Sequence, residues 1–150
     1  MILSWYFQAI QPQSNRVGKP WPIIANALGA ALERLSSIIL ENEMNMRGLN
    51  GSADRIEHLL DKIGITAARG YNDINNIKDF IKIRNNATHP KVRGRYTHPQ
   101  ISQVLLRAIQ WVEEILLWRL GYNGKYQDRT QPYPTSIENR YDLGTRDPNW

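Results

Sequence analysis

Residues 98–121 read HPQISQVLLRAIQWVEEILLWRLG. Ile101, Val104, Leu105, Ala108, Val112, Ile115 and Leu116 recur in steps of three and four, the period of a helix with one apolar face. Pro99 suits the first turn, where a missing N–H costs nothing. Gly121 supplies the stop. Trp111 and Trp118 fall on the flank of the stripe and offer a contact surface. Glu113 and Glu114 are neighbours that point apart on a helix, so they read as a solvated face rather than a carboxylate pair.

Three other stretches repeat this pattern. Ile24, Ala27, Leu28, Ala31, Leu35, Ile38 and Ile39 predict a helix over 23–47, opened after Pro20 and Pro22 and closed by Gly48 and Gly51. Ala53, Ile56, Leu59, Leu60 and Ile63 predict a second over 52–64, with Ser52 as N-cap and Gly64 as its end. Ile74, Ile77, Phe80 and Ile81 predict a third over 73–89, because the residue before Pro90 avoids the α region. The expected fold is therefore all-α: a four-to-five-helix bundle over 20–121, preceded by segment 1–19 and followed by an extended polar tail over 122–150. That tail holds Pro132, Pro134, Pro148 and four tyrosines, and is expected to wrap the bundle or a partner chain.

The chain has 150 residues, 41% of them hydrophobic and 22% charged, enough for one cored domain. No apolar run reaches the roughly 20 residues that span a bilayer, and the aromatic start at Met1–Ile10 lacks the basic region and cleavage site of a signal peptide. Cytoplasmic placement is expected. The absence of cysteine excludes disulfides, iron–sulfur clusters, thiol nucleophiles and cysteine zinc sites. His58, His89 and His98 are too scattered for a metal site, so no metal and no cofactor are expected. His58 reads as a surface or satisfied core histidine.

The net charge of +5 is local. Lys82, Arg84, Lys91, Arg93 and Arg95 occupy one acid-free run, while the other 14 bases are matched by 14 acids. Such a patch suits a polyanion such as RNA, or is a solvated Arg-rich loop.

The third helix ends on polar residues. Arg84, Asn85 and Thr88 continue the inward stripe at helical spacing, just before His89–Pro90. Buried polar groups need partners or a purpose. Asn85 and His89 share a face, but five residues at about 100° each set Arg84 about 140° from His89. Two chains about a two-fold axis bring such groups together more readily than one.

The segment Ile83-Arg84-Asn85-Asn86-Ala87-Thr88-His89 resembles the Arg-x(4–6)-His motif of HEPN domains, and 111–129, WVEEILLWRLGYNGKYQDR, is similar to the closing helix and turn of the Apea-like HEPN branch. The same spacing recurs at Arg93–His98, in a loop. The resemblance covers about residues 20–129. It implies a helical bundle and a metal-independent endoribonuclease, dimeric, with a toxin or antiphage role and an antitoxin or regulatory partner. It implies catalytic roles for Arg84, Asn85 and His89. Lys82, Lys91, Arg93 and Arg95 would hold RNA. A non-catalytic HEPN module that binds RNA, a nucleotide or a protein is the alternative. The tyrosine that nucleotidyltransferase-controlled toxins carry two places after the histidine is replaced here by Lys91. Glu33 is expected to be a surface charge, unless its helix packs beside the motif. Tyr96 either stacks on a base or packs on the bundle.

Overall fold

The computed structural model describes residues 21–65, 76–89, 96–128, 145–148 and 150. Helix α1, Trp21–Ser36, runs into a π-helical segment, Ser37–Glu43. Helices α2 (Ser52–Lys62), α3 (Asn76–Thr88) and α4 (His98–Arg119) follow. The fold is an all-α bundle with α1 at its centre, touching each of the other three. The 23-residue stretch Trp21–Glu43 is long and apolar enough to cross a membrane, unlike the sequence expectation, yet over half of its apolar window is covered by the bundle. It is the core helix.

The core joins Leu28, Leu32 and Leu35 of α1 to Ile56 and Leu60 of α2, Ile77, Phe80 and Ile83 of α3, and Val112 and Ile115 of α4. Phe80 meets Trp111 edge-on, with ring centroids 6.4 Å apart. Trp111 is 4% exposed, so it belongs to the core and not to a free flank. Its indole sits where the stripe of α4 broadens beyond its aliphatic residues. Trp118 packs half-buried against the core edge.

Helix ends follow local chemistry. The first helix stops at Glu43, short of the expected 47, because Asn45 takes a left-handed conformation (φ 53°) that asparagine tolerates. Gly51 (φ 91°), not Ser52, is the N-cap of α2. Two helices end in the same motif. Ile65 N–H donates to Leu60 O (2.8 Å) after Gly64, and Tyr122 N–H donates to Leu117 O (3.0 Å) after Gly121. Both glycines have positive φ, which frees the last carbonyls to be satisfied this way. Thr97 and Gln100 form a capping box that starts α4.

The described part of the tail docks on the bundle. Tyr126–Gln127 pairs antiparallel with Thr145–Arg146, and the Trp150 ring lies 5.3 Å from Tyr126. Tyr126 buries its ring and donates its hydroxyl to Glu114 Oε1 at 2.7 Å. Glu114 also accepts from Gln110 Nε2 (3.3 Å) and is 1% exposed. The solvated face expected for Glu114 is thus corrected: the tail covers it and supplies a donor. Arg107 of α4 and Asp128, the residue after the Tyr126–Gln127 strand, are buried as well.

Candidate active site at the end of helix α3

Arg84 lies on the edge of the inward face of α3, one residue past the buried Ile83. Its side chain crosses α1 at Gly29. A Cβ there would stand 2.5 Å from Arg84 Cδ and Nε, so only glycine leaves room. One turn further along α1 is Glu33. Arg84 Nη1 donates to Glu33 Oε1 (2.5 Å) and Nη2 to Oε2 (3.1 Å), a two-point fork on one carboxylate. The Ser52 hydroxyl, at the start of α2, donates to the same Oε1 at 2.5 Å. Three helices therefore meet at Glu33. Burial pushes its carboxyl up, but the Ser52 hydroxyl and the Arg84 guanidinium outweigh that and hold it below the ordinary carboxylate range, with Arg55 adding a smaller attraction.

Glu33 is thus no free surface charge: its carboxylate is the anchor of Arg84. Ser52 spends its hydroxyl on Glu33 rather than on capping. The expectation that Arg84, Asn85 and Thr88 all face inward holds only for Arg84. Asn85 and Thr88 are exposed, because the inward face runs through Ile77, Phe80, Ile83 and Ala87, and two residues at about 100° each set Asn85 about 160° around the helix from both Ile83 and Ala87. The Thr88 hydroxyl lies 2.9 Å from Arg84 O and 3.3 Å from Asn26 Oδ1, fastening the last turn of α3 to the start of α1.

His89 is exposed just past the last helical residue, and its N–H donates to Asn85 O at 2.8 Å. Among the described residues, no side-chain hydrogen bond joins Arg84, Asn85 and His89 to one another. The structure brings Asn85 and His89 to one solvent-facing surface and turns Arg84 away from it, as the helical angle requires. Lys82 is 65% exposed and 3.7 Å from Asp79. Lys91, Arg93 and Arg95 lie outside the described residues. Tyr96 packs on the bundle and donates to Asp79 Oδ1 at 2.6 Å. His98 opens α4 on the surface, and His58 is half-buried on α2. Among the described residues, no three His, Asp or Glu side chains converge on a metal position.

Gly29, Glu33 and Ser52 escaped the sequence reading as a set. The available signal was Gly29 and Glu33, four apart and on one face of a mostly apolar helix.

A family model, the YopA C-terminal domain, matches residues 1–141. The chain belongs to the YopA C-terminal domain family. The family match takes in the whole bundle, the Arg84–His89 segment and most of the tail. No curated protein and no solved structure matched the chain.

Proposed function

We propose that this YopA C-terminal domain is a metal-independent endoribonuclease of the HEPN type, working in the cytoplasm as a homodimer. Its setting is a toxin or antiphage system with an antitoxin or regulatory partner. One observation carries this proposal. The last two turns of α3 hold a guanidinium braced by Glu33 and Ser52, and Asn85 beside it and His89 just past the helix end are presented to solvent. The bracing matters because Arg84 has five N–H donors on one rigid plane and Glu33 takes one from each terminal nitrogen. Donors remain for a phosphate.

RNA carries its own nucleophile, the 2′-OH. Cleavage needs a base for that proton, an acid for the departing 5′-oxygen, and positive charge on the phosphorane oxygens. In this proposal His89 supplies the proton role, because an imidazole nitrogen can either accept or donate a proton. Asn85 orients His89 or a phosphate oxygen. Arg84 cannot lose its charge. A two-fold partner brings a second His89 and a second Arg84 to one cleft, which overcomes their divergence within a chain. Lys82, with Lys91, Arg93 and Arg95, tracks the RNA backbone.

The fork from Arg84 to Glu33 also favours a second reading, a non-catalytic HEPN module. There Arg84 is a pin between helices and the basic run alone holds RNA or a nucleotide. Purified protein incubated with single-stranded RNA and EDTA separates the two. The enzyme yields 2′,3′-cyclic or 3′-phosphate ends, spares DNA, and loses about 10²–10⁴ in rate on His89→Ala. A binding module retains RNA uncut. Equal RNA loss with wild type and His89→Ala removes the catalytic assignment.

A further inference from the structure

The sequence holds two Asn-Gly pairs, Asn50–Gly51 and Asn123–Gly124. Asparagine is thermolabile, most of all before glycine, whose missing Cβ leaves its backbone nitrogen free to approach the side chain. That nitrogen attacks the asparagine Cγ. The N–Cγ bond forms, the Cγ–Nδ2 bond breaks, and ammonia leaves with the proton of the glycine N–H. A cyclic imide remains, and water opens it. Opening at Cγ gives aspartate. Opening at the main-chain carbonyl gives isoaspartate, whose backbone runs through Cγ and is one carbon longer. No oxidant or reductant takes part.

The two pairs are alike in sequence and unlike in the fold. The Tyr122 hydroxyl donates across its turn to Lys125 O at 3.0 Å, and Trp150 Nε1 donates to Tyr122 O at 3.3 Å. A Cβ built on Gly124 would stand 2.5 Å from the Tyr122 hydroxyl oxygen, so the phenol lies against the glycine. Swinging the Gly124 nitrogen onto Asn123 Cγ must break this arrangement. The loop before α2 has no such ties. Past Met46, whose N–H donates to Leu40 O at 2.7 Å, no hydrogen bond among the described residues holds Leu49, Asn50 or the Gly51 N–H. Asn50 and Gly51 are both exposed. A Cβ on Gly51 would meet nothing nearer than Asp54 Oδ2 at 4.0 Å.

We infer that Asn50–Gly51 is a self-modification site, converting spontaneously to aspartate and isoaspartate, while Tyr122 and Trp150 protect Asn123–Gly124. The consequence lies one residue on. Gly51 caps α2, and Ser52 follows it with its hydroxyl on Glu33 Oε1. Aspartate keeps the backbone and sets an anion near the N-terminus of α2, where the helix dipole favours it. Isoaspartate lengthens the backbone just before Ser52 and loosens the clasp of Ser52, Glu33 and Arg84. Neither step needs RNA or a second chain, so the inference stands apart from the ribonuclease proposal.

The test is incubation of the full chain at neutral pH and body temperature, folded and in urea. Peptide mass mapping and labelling by an isoaspartyl methyltransferase follow conversion with time. In urea both pairs should convert at similar rates. In the folded protein Asn123 should lag Asn50 by about tenfold or more, since two hydrogen bonds must open first. Tyr122→Phe removes one of them and should speed Asn123 by about two- to tenfold, with Asn50 unchanged. Asn50→Gln, at an exposed position, should end conversion there. Methyltransferase-positive protein should unfold at lower urea than unconverted protein, whereas Asn50→Asp should match wild type or exceed it. Equal rates at the two pairs in the folded state, or an Asn50 that converts in urea but stays intact in the fold, overturns the site. Asn123 conversion no faster in Tyr122→Phe overturns the protection. Isoaspartyl protein as stable as wild type overturns the link to Ser52 and Glu33.

Discussion

Replacing Glu33 with Gln removes the charge that three helices share and leaves the shape almost unchanged. The side chains of Arg84 and Glu33 are 24% and 29% exposed, between a surface pair and a buried one. Exposed pairs contribute about 0.2–1 kcal/mol, whereas breaking a buried pair costs about 3–5 kcal/mol. The expected loss is therefore about 1–3 kcal/mol, or a drop in Tm of about 2–4 °C per kcal/mol for a chain of this size. A double-mutant cycle with Arg84→Gln isolates the pair, because Ser52 and the packing around Glu33 persist in both backgrounds. The coupling energy should be about 1–2 kcal/mol at pH 7, read from urea unfolding followed by helix circular dichroism.

The pH dependence has a definite sign. The folded Glu33 carboxyl titrates below its unfolded value, so it stabilises the protein above the unfolded carboxylate pKa of about 4.3. That stabilisation disappears as pH falls through the lowered folded value. The coupling should shrink steadily below about pH 4. A coupling under about 0.5 kcal/mol at pH 7, the limit within which distant sites add, refutes the claim that Glu33 anchors Arg84.

Gly29→Ala sets two effects against each other: alanine favours the helix by about 1 kcal/mol, but its Cβ displaces Arg84 from 2.5 Å contact. Unfolding measurements should show near-neutral stability while RNA cleavage falls, a separation that a purely structural role for Arg84 does not produce. Tyr126→Phe removes the hydroxyl that donates to buried Glu114 and should cost about 1–3 kcal/mol. It should also expose the tail to limited proteolysis before the bundle, and unchanged protease resistance with unchanged stability counts against the docked tail.

The periodicity of apolar residues announced the bundle because helix burial is a local, repeating pattern. Ile56, Leu59 and Leu60, or Val104, Ala108 and Val112, are inside for the reason their spacing implies. Pattern is weaker where a residue's fate depends on what arrives from far along the chain. Ile83 and Trp111 became core because α3 turns a slightly different face to α4 than the stripe alone suggested. Glu114 looked solvated until the tail laid Tyr126 across it.

The Arg84-x(4)-His89 spacing was legible, and so was the divergence of its two ends, since both follow from 3.6 residues per turn. What Arg84 touches was not. Its partner is 51 positions away and that partner's hydroxyl donor a further 19, separations that no local period encodes. The sequence by itself determined four helices, stops at Gly64 and Gly121, and a polar helix terminus followed by a basic run. Only the tertiary structure decided that Gly29 opens a passage for Arg84 and that Glu33 and Ser52 fix it there. Helix formation is set by neighbours along the chain, whereas ion pairs and cavities are set by how helices cross, and crossing depends on every side chain between them at once.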